Sequence, residues 1–306
     1  MRFDHILFPV DFSTPGLAMN AEVQWLAARF QSQVTLLHVF EIPTSWYGTG
    51  ESPLITGPDI LAYADSERKR LEEDSVDVSN GRVERVSREG SPAHHIVEYA
   101  KQHGVDLIVM ATHGYGPWRR FLLGSVTMKV LHDSSCPVWM HASPGRIKHD
   151  SKQQALQILC SLELADESVP VLRQTQQLAE LFRGTVQIVH CVPGLDSKLS
   201  RHSPQLHHSL KDFAREEIAK LQRQAGTAFP VLITDQSIST DIGQAAQEFQ
   251  ADLVVTGRGR IQESFGTLRT HELEITSLVS CPVISFCSRE EERPSVETIA
   301  QVATSK

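Results

Sequence analysis

The sequence predicts an α/β protein of two tandem domains, each a five-stranded, mainly parallel sheet with helices on both faces. Three observations predict it. Short apolar runs such as Leu107-Ile-Val-Met110 have the length and continuity of strands buried on both sides. Stretches of helical period alternate with these runs, which implies βαβ units and a parallel sheet. The whole pattern also occurs twice. Val34-Thr-Leu-Leu-His38-Val39 returns as Val186-Gln-Ile-Val-His190-Cys191, Val105-Asp-Leu-Ile-Val-Met110 as Ala251-Asp-Leu-Val-Val-Thr256, and Ser135-Cys-Pro-Val138 as Ser280-Cys-Pro-Val283.

Each copy runs strand, helix, strand, long segment, strand, helix, strand, loop and helix, strand. Ile6-Leu-Phe-Pro-Val-Asp11 opens the first copy, with a weaker partner in Ile158-Leu-Cys-Ser-Leu-Glu163. Ser13-Thr-Pro15 is a helix-start signal that places Leu17, Ala21, Trp25 and Ala28 on one helical face. A second helix starts at Ser91-Pro92, with Ile96, Val97 and Ala100 inward. The glycines and prolines between Glu41 and Pro58 argue against regular structure there; its Trp46-Tyr47 pair reads either as a lid or as a surface loop. The expected domain bounds are 1–144 and 152–288, with a connection over Ser143 to Gln153 and a charged, polar tail at 289–306. Pro137–Met140 and Pro282–Phe286 are the strands expected to join the halves as a pseudo-two-fold pair, covering two apolar edges.

The 306 residues suffice for two domains with their own cores. A formal net charge of −8 argues against a general nucleic-acid binder, which needs a basic face. Cys136, Cys160, Cys191, Cys281 and Cys287 form no CxxC pair, so reduced thiols in a cytoplasmic protein are expected rather than disulfides or a zinc site. Met1-Arg-Phe-Asp-His-Ile-Leu-Phe-Pro9 enters a strand at once, so no signal peptide is expected, and no apolar run has the length of a membrane span.

Chemistry concentrates between Met110 and Thr127. There a buried strand gives way to a glycine-bearing loop, and a helix opens at Gly124-Ser125 with Val126, Val130 and Leu131 on one face. Glycine admits close backbone approach, and the free amides of a helix N-terminus attract anions. A phosphate-bearing small molecule is therefore the expected ligand; the alternative is a capped helix that binds nothing. Asp11 ends a strand beside this loop and is a candidate ribose or adenine acceptor. His38 and His190 lie inside apolar strands and read as core histidines. His202, His207 and His208, like His94-His95, lack partners spaced to complete a metal site. The chain has no Walker loop and no nucleophile elbow, and Gly114-Tyr-Gly116 lacks the third glycine of a dinucleotide fingerprint.

Together these segments resemble the universal stress protein family in a tandem form. The resemblance rests on Ile6-Leu-Phe-Pro-Val-Asp-Phe-Ser13, the Leu-Leu-His-Val strand, Asp106-Leu-Ile-Val-Met-Ala-Thr-His-Gly114, and Leu-Leu-Gly124-Ser-Val-Thr127 followed by Cys136-Pro-Val138. It implies Rossmann-like domains of the adenine nucleotide alpha hydrolase type, dimerisation through the last strand and, in a subset, ATP binding with Mg²⁺ as its companion ion. That subset carries glycine, two residues, glycine, nine residues, glycine, then serine or threonine. Here Gly114 and Gly124-Ser125 are present and Ala111 replaces the first glycine. Carried over by position, Asp11 and the backbone of Val39 would meet adenosine. Ala111, His113, Gly114, Gly124, Ser125 and Thr127 would surround the phosphates, and Pro9, Val10, Met110 and Val126 would form apolar walls. In the second copy Thr256 and Gly259 are read at the first two glycine positions, Arg269-Thr270 replaces Gly-Ser, and Glu163 replaces Asp11. That half is expected to be degenerate as an ATP site.

The expected activity is binding: nucleotide occupancy biases shape or association, and a protein partner, a homodimer included, reads the result. The alternatives are a non-nucleotide dimeric scaffold and a slow ATPase.

Overall fold

The computed structural model describes residues 1–42, 57–74, 76, 78, 82–112, 124–142, 144, 155–165, 168–192, 204–258 and 274–287. Among them, the first half supplies strands β1 (His5–Pro9), β2 (Gln33–Phe40), β3 (Val83–Glu89), β4 (Leu107–Ala111) and β5 (Val138–His141). Its helices are α1 (Thr14–Ala18), α2 (Asn20–Phe30), α3 (Gly57–Glu72), α4 (Pro92–Gln102) and α5 (Ser125–Asp133). The second half supplies β6 (Gln157–Ser161), β7 (Thr185–Cys191), β8 (Val231–Thr234), β9 (Leu253–Arg258) and β10 (Val283–Cys287), with α6 (Ser168–Phe182), α7 (Pro204–Ala225) and α8 (Ile238–Glu248). A further helical turn covers 274–278.

All ten strands form one sheet in the order β3-β2-β1-β4-β5-β10-β9-β6-β7-β8. Pairing is parallel within each half and antiparallel only where β5 meets β10. There Val138 faces Ser285, Trp139 faces Ile284 and Met140 faces Val283. The expected strands therefore do join the halves. Because each already has a neighbour on its other side, neither offers an edge for further pairing.

Strand side chains alternate between two cores. Ile6, Phe8, Leu107 and Val109 point into one, with α2, α6 and α7 packed over it. Leu7, Ile108 and Met110 point into the other, under α4, α5 and α8. Both cores draw residues from both halves. The joint is reinforced outside the sheet: Trp25 of α2 stacks on Phe182 of α6 at 5.6 Å, and Arg29 donates to the Leu181 carbonyl at 2.9 Å. Buried Glu22 accepts hydrogen bonds from Trp139 Nε1 and from His141 Nδ1, the latter at 2.9 Å, and His141 Nε2 lies 3.4 Å from the carbonyl of Ser280.

Two expectations need correction. Leu17 does not share one helical face with Ala21, Trp25 and Ala28, because α1 ends at Ala18 and α2 starts at Asn20; Met19, Val23, Leu26 and Ala27 are buried, and Leu17 is exposed. The helix breaks at Met19, which resets its phase, and Trp25 turns to α6 instead. Gly57 and Pro58, expected in an irregular stretch, open α3, with proline in the first turn, where its missing N–H has no cost. The long segment of the second copy contains α7, a 22-residue helix that includes His207 and His208.

Candidate functional site

The chain runs from β1 through β2 and β3 on one side, then crosses to β4 on the other side of β1. Strand order reverses between β1 and β4, and ligands in such sheets sit at the carboxyl ends of the strands beside that reversal. Pro9, Val10 and Asp11 leave β1 there, and Met110, Ala111 and Thr112 leave β4.

The β1 end is held from below. The Val10 amide donates to Leu37 at 2.9 Å, and the Val10 carbonyl accepts from His38 Nδ1 at 2.7 Å. His38 Nε2 lies 2.9 Å from Glu67 of α3. Phe12 takes a left-handed φ of 55°, uncommon for a bulky residue, with its ring 4.6 Å from His38 and under the Arg70 guanidinium at 4.3 Å. Asp11 itself is exposed, and its Oδ1 accepts from the Ser13 amide at 2.9 Å and the Ser13 hydroxyl at 2.6 Å. Ser13 Oγ in turn accepts from the Gly16 amide at 3.1 Å, capping α1. A Cβ on Gly16 would lie 2.6 Å from Asp11 Oδ1, so this glycine is needed for the carboxylate to sit where it does. Sequence reading missed this role; the Asp-x-Ser-x-x-Gly spacing is its only mark.

Val39 lies two residues past Leu37, whose carbonyl points to β1. The two-residue period turns the Val39 backbone the same way, beyond the point where β1 has ended. On β4, Ala111 pairs with His141 as the last strand residue, and it is not among the described residues with positive φ. Alanine therefore strains nothing there. The end of β4 is tied to the start of α5: the Gly124 amide donates to the Thr112 carbonyl at 2.7 Å, and Thr127 Oγ1 donates to the Ala111 carbonyl at 3.3 Å. Thr127 is buried and so fastens α5 to β4, whereas Ser125 is exposed and Val126 half-buried.

Gly124 is the N-cap of α5 at φ −61°, ψ 142°, a conformation open to any residue, and α5 has no side-chain cap. Among the described residues, a Cβ at Gly124 would meet nothing nearer than the Thr112 carbonyl at 3.5 Å. Neither its dihedral angles nor the described residues around it require glycine here. The first-turn amides at 125–127 have no acceptor within the helix, which is the arrangement that takes an anion. Val10 and Met110 are buried and Pro9 and Val39 half-buried beside this mouth. His113 and Gly114 lie outside the described residues, as do Arg119, Arg120 and the Trp46-Tyr47 pair.

The second half repeats the frame with different contents. Ile6 pairs with Val34 and Leu107, and Ile158 with Val186 and Leu253, so Glu163 is the counterpart of Asp11. His190 Nδ1 donates to the Leu162 carbonyl at 2.8 Å, as His38 does to Val10. Gly257 pairs with Phe286 as Ala111 pairs with His141, so the first glycine position belongs to Gly257 and not to Thr256. A Cβ on Gly257 would come within 2.7 Å of Val171 Cγ2, so the close approach of α6 requires this glycine. Gly259, Glu263, Arg269 and Thr270 lie outside the described residues. Among the described residues no cluster of three or more His, Cys, Asp or Glu could hold a metal, and no helix is long and apolar enough to cross a membrane.

Known proteins share this arrangement. The sequence profile described as "Universal stress protein family" matches residues 2–141 and again 156–271. The universal stress protein A homolog 1 of Coxiella burnetii is 32% identical over 146 residues, 46% of this chain and 99% of that protein. Universal stress protein MJ0531 of Methanocaldococcus jannaschii is 29% identical over 150 residues, 46% of this chain and 84% of its own length. The crystal structure of a universal stress protein from Archaeoglobus fulgidus has the same fold over 95% of this chain and 98% of its own, with a TM-score of 0.66 at 16% identity. With two successive matches to one family, each over a five-stranded parallel unit, the chain belongs to the universal stress protein family as a tandem pair of its domains.

Proposed function

We propose that the first half, residues 1–144, binds ATP at the mouth formed by Asp11, Val39, Ala111 and the N-terminus of α5. In this reading Gly124, Ser125 and Val126 present amides to phosphate, with His113 and Gly114 on the intervening loop. Asp11 and the Val39 backbone meet the adenosine part, and Pro9, Val10 and Met110 wall it. Mg²⁺ would accompany the phosphates. Residues 152–288 form the companion domain and 289–306 a tail. Nucleotide occupancy would act by changing conformation or association with a protein partner, in a cytoplasmic setting.

The observation that carries the reading is Gly124. Its backbone conformation suits any residue and, among the described residues, a Cβ there would make only ordinary contact, yet the position is glycine at a helix start without a side-chain cap. A ligand approaching the amides supplies a reason for glycine that packing does not.

Calorimetric titration of Mg-ATP into the wild type and Gly124→Val tests it. The expected result is binding by the wild type and its loss in the variant, which should still unfold cooperatively in the free state at a modestly lower temperature, because valine is a poorer N-cap than glycine. No heat and no thermal shift for the wild type at millimolar ATP would overturn the reading and leave a non-nucleotide scaffold in its place.

A further inference from the structure

Arg258 ends β9, immediately before residues 259–273, and by strand register it is the counterpart of Thr112. Its side chain is buried and reaches out of its own half. Nη1 donates to the carbonyls of Leu131 and, at 3.1 Å, Ser134; Nη2 donates to Cys136 at 2.8 Å and Ser285 at 3.5 Å. Leu131 lies in the last turn of α5 and Ser134 is its C-cap. The final carbonyls of a helix have no partner within it, and a cation at that end offsets the negative pole of the helix dipole. A threonine at the same place is too short to do this in the opposite direction, so the device is one-sided.

α5 is thus fixed at both ends. Gly124 and Thr127 tie its N-terminus to β4, and Arg258 ties its C-terminus to the second half. With only nine residues, α5 is a short rod on which a shift at one end is felt at the other.

We propose that Arg258 is a positioning residue for the first-half anion site: through α5 it makes the placement of amides 125–127 depend on the C-terminal end of β9. The second half then regulates the first by moving or releasing this strut. The inference rests on the reading of the α5 N-terminus as the phosphate site.

Two measurements on the full chain test it. In Arg258→Met, amides 128–134 should exchange hydrogen faster while those of β1–β3 do not change. The affinity for Mg-ATP should fall about tenfold, within the usual range of coupling between sites. Arg258→Lys should recover part of both effects, since an ammonium also donates to carbonyls. Unchanged exchange in α5, or faster exchange with unchanged affinity, would overturn the proposal. Should Arg258→Met fail to fold, Mg-ATP added to the wild type must slow exchange at 131–136 and at 256–258. Protection confined to the first-half mouth would overturn it equally. A wild type that binds no Mg-ATP would sink the nucleotide reading, while exchange in Arg258→Met would still decide whether the strut exists.

Discussion

His190 donates from Nδ1 to the carbonyl of Leu162 at 2.8 Å, the bond His38 makes to Val10 at 2.7 Å. In both halves a histidine on the second strand thus fixes the residue that precedes the carboxylate at the strand end, Asp11 or Glu163. The two rings differ in their other nitrogen. His38 Nε2 meets Glu67 at 2.9 Å, whereas among the described residues no carboxylate lies within pairing distance of His190.

Burial pulls the His190 pKa below its ordinary value of 6.5, and it does the same to His5. The unfolded chain therefore takes up these protons at higher pH than the folded one does. Below about 6.5 the unfolded state binds more protons, so stability present at neutral pH declines as pH falls. The urea midpoint should drop between about pH 7 and pH 5.5. His190→Asn, which keeps a donor toward Leu162, should flatten the slope and leave the share due to His5. An unchanged slope in this variant would refute the assignment.

The cysteines should divide into two classes. Burial pushes Cys160 up to about 11 and Cys191 and Cys281 up to about 12; a hydrogen bond to buried Asp241 adds to the effect at Cys191. Thiolate is the reactive form, so these three should resist alkylation at neutral pH in the native protein. Cys136 and Cys287 are only half-buried and should label first. Peptide mapping after a timed iodoacetamide pulse gives the order; early labelling of Cys160 would contradict it.

The strands and the repeat were legible because parallel strands buried on both faces leave unbroken apolar runs, as Leu107–Met110 does. The Gly124-Ser125 helix start was legible from chemistry that is local in sequence. α3 and α7 were not, since each buries only a narrow stripe: Glu67 and Leu71 in one, Ala214, Ile218 and Leu221 in the other. Phase was lost at Met19, where one predicted helix is two. Glu22 and Arg258 could not be read as partners of Trp139, His141 and Leu131, because those contacts join residues more than a hundred positions apart. The glycine position of the second half depended on strand register, which places Gly257 opposite Phe286.

Gly257→Ala should cost more than Ala111→Gly. Gly257→Ala forces a methyl within 2.7 Å of Val171 Cγ2, and such overpacking costs about 1–3 kcal/mol. Ala111→Gly adds only backbone freedom, worth about 0.5–1 kcal/mol, plus the small packing loss of one half-buried methyl. Denaturant unfolding of both variants checks the order. In a Val171→Ala background the cost of Gly257→Ala should shrink, and equal costs in the two backgrounds would show that Val171 is not the obstacle.

The buried group Glu22, Trp139 and His141 should be the most sensitive polar point of the joint. Glu22 is 2% exposed in its side chain and His141 is fully buried, and the carboxylate satisfies donors from two residues of β5. Through His141 Nε2 the same network reaches Ser280, just before β10. Replacing Glu22 by leucine removes both acceptor oxygens at once and leaves two buried donors without partners. Each buried donor left unsatisfied costs about 1–3 kcal/mol, and two are left here. Glu22→Gln keeps one good acceptor and turns its amide toward the other donor, a loss of about 1–3 kcal/mol. Equilibrium urea unfolding should rank wild type above glutamine above leucine. A leucine variant as stable as the wild type would mean that apolar packing across β5 and β10 holds the halves without this network.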